Sequence, residues 1–140
     1  MVIHPDKTKC MVIATRQKLQ KEPLHLKLFI GPKRIEQVKK HRVLGVTLDS
    51  EFKWLPHLDN VLKSVSRNLY LLSQLRHVAD QDYLLLFFYG HVLPHMNYAS
   101  NIWDNCADQH MKKLNSLHRR AIKLINSRKK IFLLIRNLLI

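Results

Sequence analysis

Negative charge is scarce in this sequence. Ten Asp and Glu face 24 Lys and Arg over 140 residues, giving a formal net charge of +14 and a pI near 10.1. So large an imbalance points to a polyanionic partner. The cations are spread along the chain instead of being gathered in one tail, so a folded basic surface is expected in place of a basic arm. Cysteine is also rare: Cys10 and Cys106 stand far apart and outside any Cys-x-x-Cys pair. That excludes a disulfide framework and a zinc knuckle. Long apolar runs are missing too. Residues 83–89 and 131–140 fall short of the roughly 20 residues that cross a bilayer, and Arg136 breaks the second run. Pro5, Asp6 and Lys7 interrupt the apolar start, so no secretory leader is read there. An intracellular soluble protein with no membrane partner is the expectation. Nine histidines are present, but His91 and His95 lack the glutamate of a His-Glu-x-x-His zinc helix and no carboxylate cluster accompanies them. No metal site is expected.

Hydrophobic residues make up 46% of the chain, which excludes wholesale disorder and suits one modest domain or a piece of one. The patterning changes partway along. Residues 10–14 form an apolar run of strand length, and residues 16–22 read as a polar connector. Leu24, Leu26 and Leu28 alternate with His25 and Lys27, the period of a half-buried strand, and Gly31-Pro32 supplies a turn. Ile35 and Val38 suit a short return strand. Lys39, Lys40, His41 and Arg42 read as a basic loop leading into a central strand, residues 42–49, with Gly45 inside it as a packing glycine or a point of close backbone approach. These signals predict a small antiparallel sheet of about four strands over residues 1–55.

Past Pro56 the apolar period becomes 3.6. Leu58, Val61, Leu62, Val65, Leu69, Leu72 and Leu75 mark an amphipathic helix. Asp80 is a candidate N-cap for a second helix beginning at Gln81, which is apolar on nearly every side and so predicted to be the most buried, with Gly90 and Pro94 kinking it. A third starts near Asp108 and sets Met111, Leu114, Leu117, Ala121, Ile122 and Ile125 on one face against Lys112, Lys113, Arg119, Arg120 and Lys123 on the others. The fold class predicted is α+β: the small sheet, then a bundle of three or four helices over 56–127, then an apolar tail over 128–140 that docks as a helix or is an unfinished end.

Several marks occur together in a fixed order: Pro5-Asp6-Lys7-Thr8-Lys9 before a strand, Leu44-Gly45-Val46-Thr47-Leu48-Asp49, Trp54 and His57, Tyr98 with Trp103, and Leu117-His118-Arg119-Arg120-Ala121. Over residues 1–127 this order resembles the C-terminal palm and thumb region of reverse transcriptases encoded by non-long-terminal-repeat retrotransposons. The resemblance implies that residues up to about 55 end a polymerase palm and that 56–127 form a thumb clamping a template–primer duplex by its backbone. It implies that Lys7 faces the incoming nucleotide's phosphates and that Leu44 and Gly45 belong to a primer grip, which holds the 3′ end of the growing strand. Lys53, Lys63, Arg67, Lys112, Lys113, Arg119, Arg120 and Lys123 are then the candidate nucleic-acid backbone contacts. His4 departs from the family's usual Asn, and residues after about 126 do not continue its pattern, as in a truncated or frame-shifted copy.

The family's full-length enzymes would use Mg²⁺ held by paired carboxylates. No adjacent acidic pair on a plausible hairpin occurs in this sequence, and those motifs would precede residue 1. The expectation is an RNA-directed DNA polymerase fragment without a cofactor of its own, inactive alone, that binds RNA or an RNA–DNA duplex and could join the absent polymerase portion. The alternative is a stand-alone basic RNA-binding or interaction module.

Overall fold

Residues 9–49 supply the extended structure, in pieces two to four residues long. The computed structural model describes residues 3–21, 24–103 and 108–138, and its class is α+β, with short sheets first and helices after. The chain divides into two units, 1–57 and 58–140.

In the first unit a 3-10 turn, Pro5–Lys7, precedes strand β1 (Lys9–Cys10). Helix α1 (Arg16–Lys21) comes next, then β2 (Phe29–Ile30), β3 (Lys33–Arg34), β4 (Glu36–Gln37), β5 (Lys40–Val43) and β6 (Val46–Asp49). Three two-stranded ladders result where the sequence suggested one antiparallel sheet. β1 and β4 run parallel, with Lys9 opposite Glu36 and an ion pair between them. β2–β3 and β5–β6 are antiparallel hairpins. The first turns at Gly31-Pro32, with Gly31 at φ +59°; glycine at the first central position followed by a proline suits a type II′ turn.

Two stretches differ from their sequence-based expectation. Residues 16–22 are not all connector, because α1 forms from Arg, Gln, Lys and Leu, all good helix formers without an apolar stripe to reveal them. The alternating stretch 24–30 is a ladder strand only at β2. Its start is held by one side chain: the Gln37 carboxamide accepts from Leu26 N–H at 2.9 Å and donates to the Leu24 carbonyl at 2.8 Å. Ile35 N–H donates to the Leu28 carbonyl at 2.8 Å. Pairing thus continues past the ladder through a side chain, with Ile35 buried.

After β6 the chain bends through two residues at positive φ, Phe52 (+55°) and Trp54 (+61°). The Asp49 carboxylate organises this bend. Its Oδ1 accepts from Glu51 N–H (3.0 Å) and Lys53 N–H (3.2 Å), and its Oδ2 from Trp54 N–H (2.8 Å). Trp54 is buried and meets the Phe52 ring edge-on at 4.8 Å. Helix α2 (Leu55–Leu75) starts immediately afterwards, with Pro56 in its first turn, where a missing N–H costs nothing. Among the described residues of this unit only Ile35, Val46, Trp54 and His57 are buried, so its core is thin.

The second unit carries the larger core. Along α2, Leu58, Val61, Val65, Leu69 and Leu72 are buried at spacings of three and four, the stripe the sequence predicted. Asp80 holds the N-cap position of α3 (Gln81–Phe87), and its carbonyl accepts from Leu84 N–H at 3.1 Å. A π-helical turn, Phe88–Val92, joins α3 to α4 (Leu93–Asn97). Pro94 has no N–H to give the Gly90 carbonyl, which favours an interruption just before it. The turn also sets helix phase. Leu84, Phe88, Val92 and Met96 are buried at strict intervals of four, and in a regular α-helix each such step overshoots a full turn by about 40°. The wider π turn absorbs that drift and keeps all four on one face.

The second helix is not buried all round, contrary to the sequence reading: Tyr83, Leu86 and Tyr89 are exposed. Here the helix is covered on the side of Leu84, Phe88 and Val92, and apolar composition alone cannot supply a second cover. Helix α5 (Ser100–Trp103) ends in a fully buried Trp103, whose Nε1–H donates to the Tyr98 carbonyl at 3.1 Å. Helix α6 (Asp108–Leu138) buries Leu114, Ala121 and Ile125, with Met111, Leu117 and His118 half-buried beside them; Ile122, read as part of that face, is exposed. The His118 ring lies over Phe88 at 5.8 Å, tying α6 to the π turn. Among the described residues no helix is long and apolar enough to cross a membrane.

Candidate nucleic-acid interface

Five basic residues of α6 fall on one side because of their spacing. At about 100° per residue, Lys112, Lys113, Arg119, Arg120 and Lys123 lie within an arc of about 120°, opposite the arc of Leu114, Ala121 and Ile125. All five are exposed. From Gln109 to Ser127 the helix has no Asp or Glu, and none of the five makes an ion pair among the described residues. Like charges three or four positions apart, such as Arg119 and Lys123, repel each other by a few tenths of a kcal/mol. A polyanion relieves that repulsion. The five span about 16 Å of helix, enough for several consecutive phosphates, and the two guanidiniums can each grip a phosphate with two N–H groups.

On α2, Lys63 and Arg67 are exposed one turn apart and likewise unpaired among the described residues. At the same end of the unit, His110 Nε2 lies 3.6 Å from Asp59 Oδ1, while His110 Nδ1 is buried without a hydrogen-bond partner. Asn68 Nδ2 donates to the His91 carbonyl at 2.6 Å, fastening α2 to the π turn.

In the first unit the sequence-derived residues fare differently from one another. Lys7 ends the 3-10 turn, exposed and without an ion pair among the described residues. That turn forms with His4 at its start: the His4 carbonyl accepts from Lys7 N–H at 3.1 Å and from Thr8 Oγ1 at 3.0 Å. Neither bond needs an asparagine side chain. Lys53 is exposed, but its ammonium meets the Glu51 carboxylate at 2.5 Å, so its charge is offset locally.

Leu44 and Gly45 are not inside a strand. They are the two central residues of the β5–β6 hairpin turn, at φ +48° and +84°, the positive pair that a type I′ turn requires. Leu44 stands 86% exposed at the tip. Lys40, His41 and Arg42, read from the sequence as loop, form the exposed strand β5 leading to that tip. They were not among the candidate contacts read from the sequence, although a basic run ahead of an alternating one was a usable signal for an exposed basic strand.

His57, in the first turn of α2, is buried, and its Nδ1 accepts from Thr47 N–H at 3.4 Å. Burial, and secondarily the Arg42 guanidinium, lower its pKa below the ordinary imidazole value. The ring therefore holds the hairpin in its neutral form, with the proton on Nε2.

Three carboxylates among the described residues are already engaged. Asp6 is paired with Lys33, both oxygens of Asp49 are committed to backbone N–H groups, and Asp59 faces His110. Among the described residues no three His, Cys, Asp or Glu gather as a metal site. In the first unit a cavity of about 430 Å³ is lined by Val12, Leu19 and Leu24 together with Arg16 and Lys39. No family model, no curated protein and no solved structure matches this chain.

Proposed function

We propose that this chain is the end of the palm and the thumb of a retroelement reverse transcriptase. Acting alone, it grips RNA or an RNA–DNA duplex through the phosphates and does not extend a primer. The observation that carries this reading is the α6 face: five exposed cations in one arc, with no carboxylate from Gln109 to Ser127. Phosphate contacts of this kind fix position on a duplex and read no bases. The exposed Leu44-Gly45 tip at the end of a basic strand agrees with a primer-grip element, since glycine lets main chain come close to sugar and phosphate. Lys7 is available to an anion for the same reason as the α6 residues: it is exposed and unpaired among the described residues.

The experiment is hybrid binding by fluorescence anisotropy across a salt series, for the chain and for a variant with Lys112, Lys113, Arg119 and Arg120 changed to Ala. Weakened binding and a shallower salt dependence are expected. Equal affinity in the variant would remove α6 as the contact surface. A primer-extension assay with Mg²⁺ should give no product, and extension by the purified chain would overturn the non-catalytic reading.

A further inference from the structure

Tyr83, Leu86 and Tyr89 project three residues apart from α3 and the π turn, exposed by 66%, 70% and 60%, on the side away from buried Leu84, Phe88 and Val92. Gly90 continues this face, and nothing lies within 4 Å of where a Cβ would sit there. Two tyrosines around a leucine on an open helix side have the composition of a protein contact.

Charge and symmetry identify the occupant. Between Arg76 and Lys112 the sequence contains no Lys or Arg and four aspartates, 80, 82, 104 and 108. Neither α3 nor the π turn carries a Lys or Arg for a phosphate to meet, which disfavours nucleic acid as the occupant. Two molecules that each carry +14 repel over most approaches, and this stretch is where they can meet without bringing cations together. The pattern Tyr-x-x-Leu-x-x-Tyr also reads the same in both directions about Leu86. A two-fold axis through Leu86, with the helices antiparallel, sets Tyr83 of each copy against Tyr89 of the other. It brings Asp82 opposite Gly90 and beside the exposed His91.

We propose that this face is a self-association surface occupied by a second copy of this chain in that antiparallel arrangement. Three side chains from each copy make a contact well below the roughly 800 Å² per partner of a standard interface. The association is therefore weak, reversible and concentration-dependent. It does not rest on the nucleic-acid reading, whose residues lie on α6, α2 and the first unit.

Sedimentation velocity over a concentration series of the full chain tests it. The native chain should shift from monomer toward dimer, and Leu86→Lys, a change at an exposed position, should raise the apparent dissociation constant by about tenfold or more. In a Cys10→Ser, Cys106→Ser background, Leu86→Cys should form a disulfide-linked dimer, because a residue on a two-fold axis meets its own mate. Ser116→Cys, on the basic face of α6, should not. A chain that stays monomeric throughout, association undiminished by Leu86→Lys, or crosslinking no better at position 86 than at 116 would each overturn the proposal.

Discussion

Leu44 is held where leucine is least at ease. At φ +48° its Cβ crowds the following carbonyl, a conformation costing an L-residue about 1–2 kcal/mol. Asparagine tolerates this region and precedes glycine in the preferred type I′ hairpins. Because Leu44 is 86% exposed, replacing it removes little buried apolar surface. Leu44→Asn should therefore stabilise the fold by about 1 kcal/mol, the lower end of the left-handed cost. With a urea m-value of about 1–3 kcal/mol/M, the unfolding midpoint should rise by about 0.3–1 M. Urea denaturation followed by circular dichroism measures the shift, and slower hydrogen exchange at the Val46 and Leu48 amides would place it in the hairpin. A midpoint that is unchanged or lower would refute the assignment of backbone strain to this tip. The same variant carries a functional reading. Strain kept at an exposed tip is commonly kept for contact, so hybrid affinity should fall while stability rises. Unchanged affinity would show that the tip does not touch the duplex.

Other outcomes follow from the same geometry. His57 has a lowered pKa in the fold, so the unfolded chain binds a proton first as pH falls; its stabilising effect is complete above the unfolded value of about 6.5 and is lost as pH drops from there toward the folded one. A denaturation series from pH 8 to pH 5 should show this slope, and His57→Gln should flatten it. Asp49→Ala removes the acceptor of three backbone N–H groups and should cost about 2–4 kcal/mol, with faster exchange at Glu51, Lys53 and Trp54. For the α6 quadruple variant, the slope of log affinity against log salt should become shallower by about 0.9 for each phosphate that the altered helix no longer neutralises.

The helical half was legible because its signal is repetitive. Five buried residues of α2 at spacings of three and four leave little else for that stretch to be, and the basic arc of α6 follows from counting. The first half was harder, since its strands run two to four residues and no periodicity develops in so short a span. Reading residues 42–49 as one strand failed for a specific reason. Leucine gives no turn signal, so the positive φ at Leu44 was hidden behind a side chain that looks like strand. The α1 helix escaped because it has propensity without amphipathicity, and the apolar run 83–89 overstated burial because composition does not say how many neighbours a helix has. At the candidate site the cations were read correctly as exposed, while the strand status of Lys40 and His41 and the Glu51 partner of Lys53 left no mark in the sequence.

The π turn means that this chain carries a spare residue. Without Gly90, the core positions now at 84, 88, 92 and 96 would fall at intervals of four, three and four, the rhythm of an uninterrupted α-helix. Pro94 would then sit in a helix interior, where its ring meets the carbonyl four residues back. Shortening the chain by one at Gly90 should accordingly be tolerated together with Pro94→Ala and resisted without it, so that a length change and a side-chain change are coupled through one turn of helix.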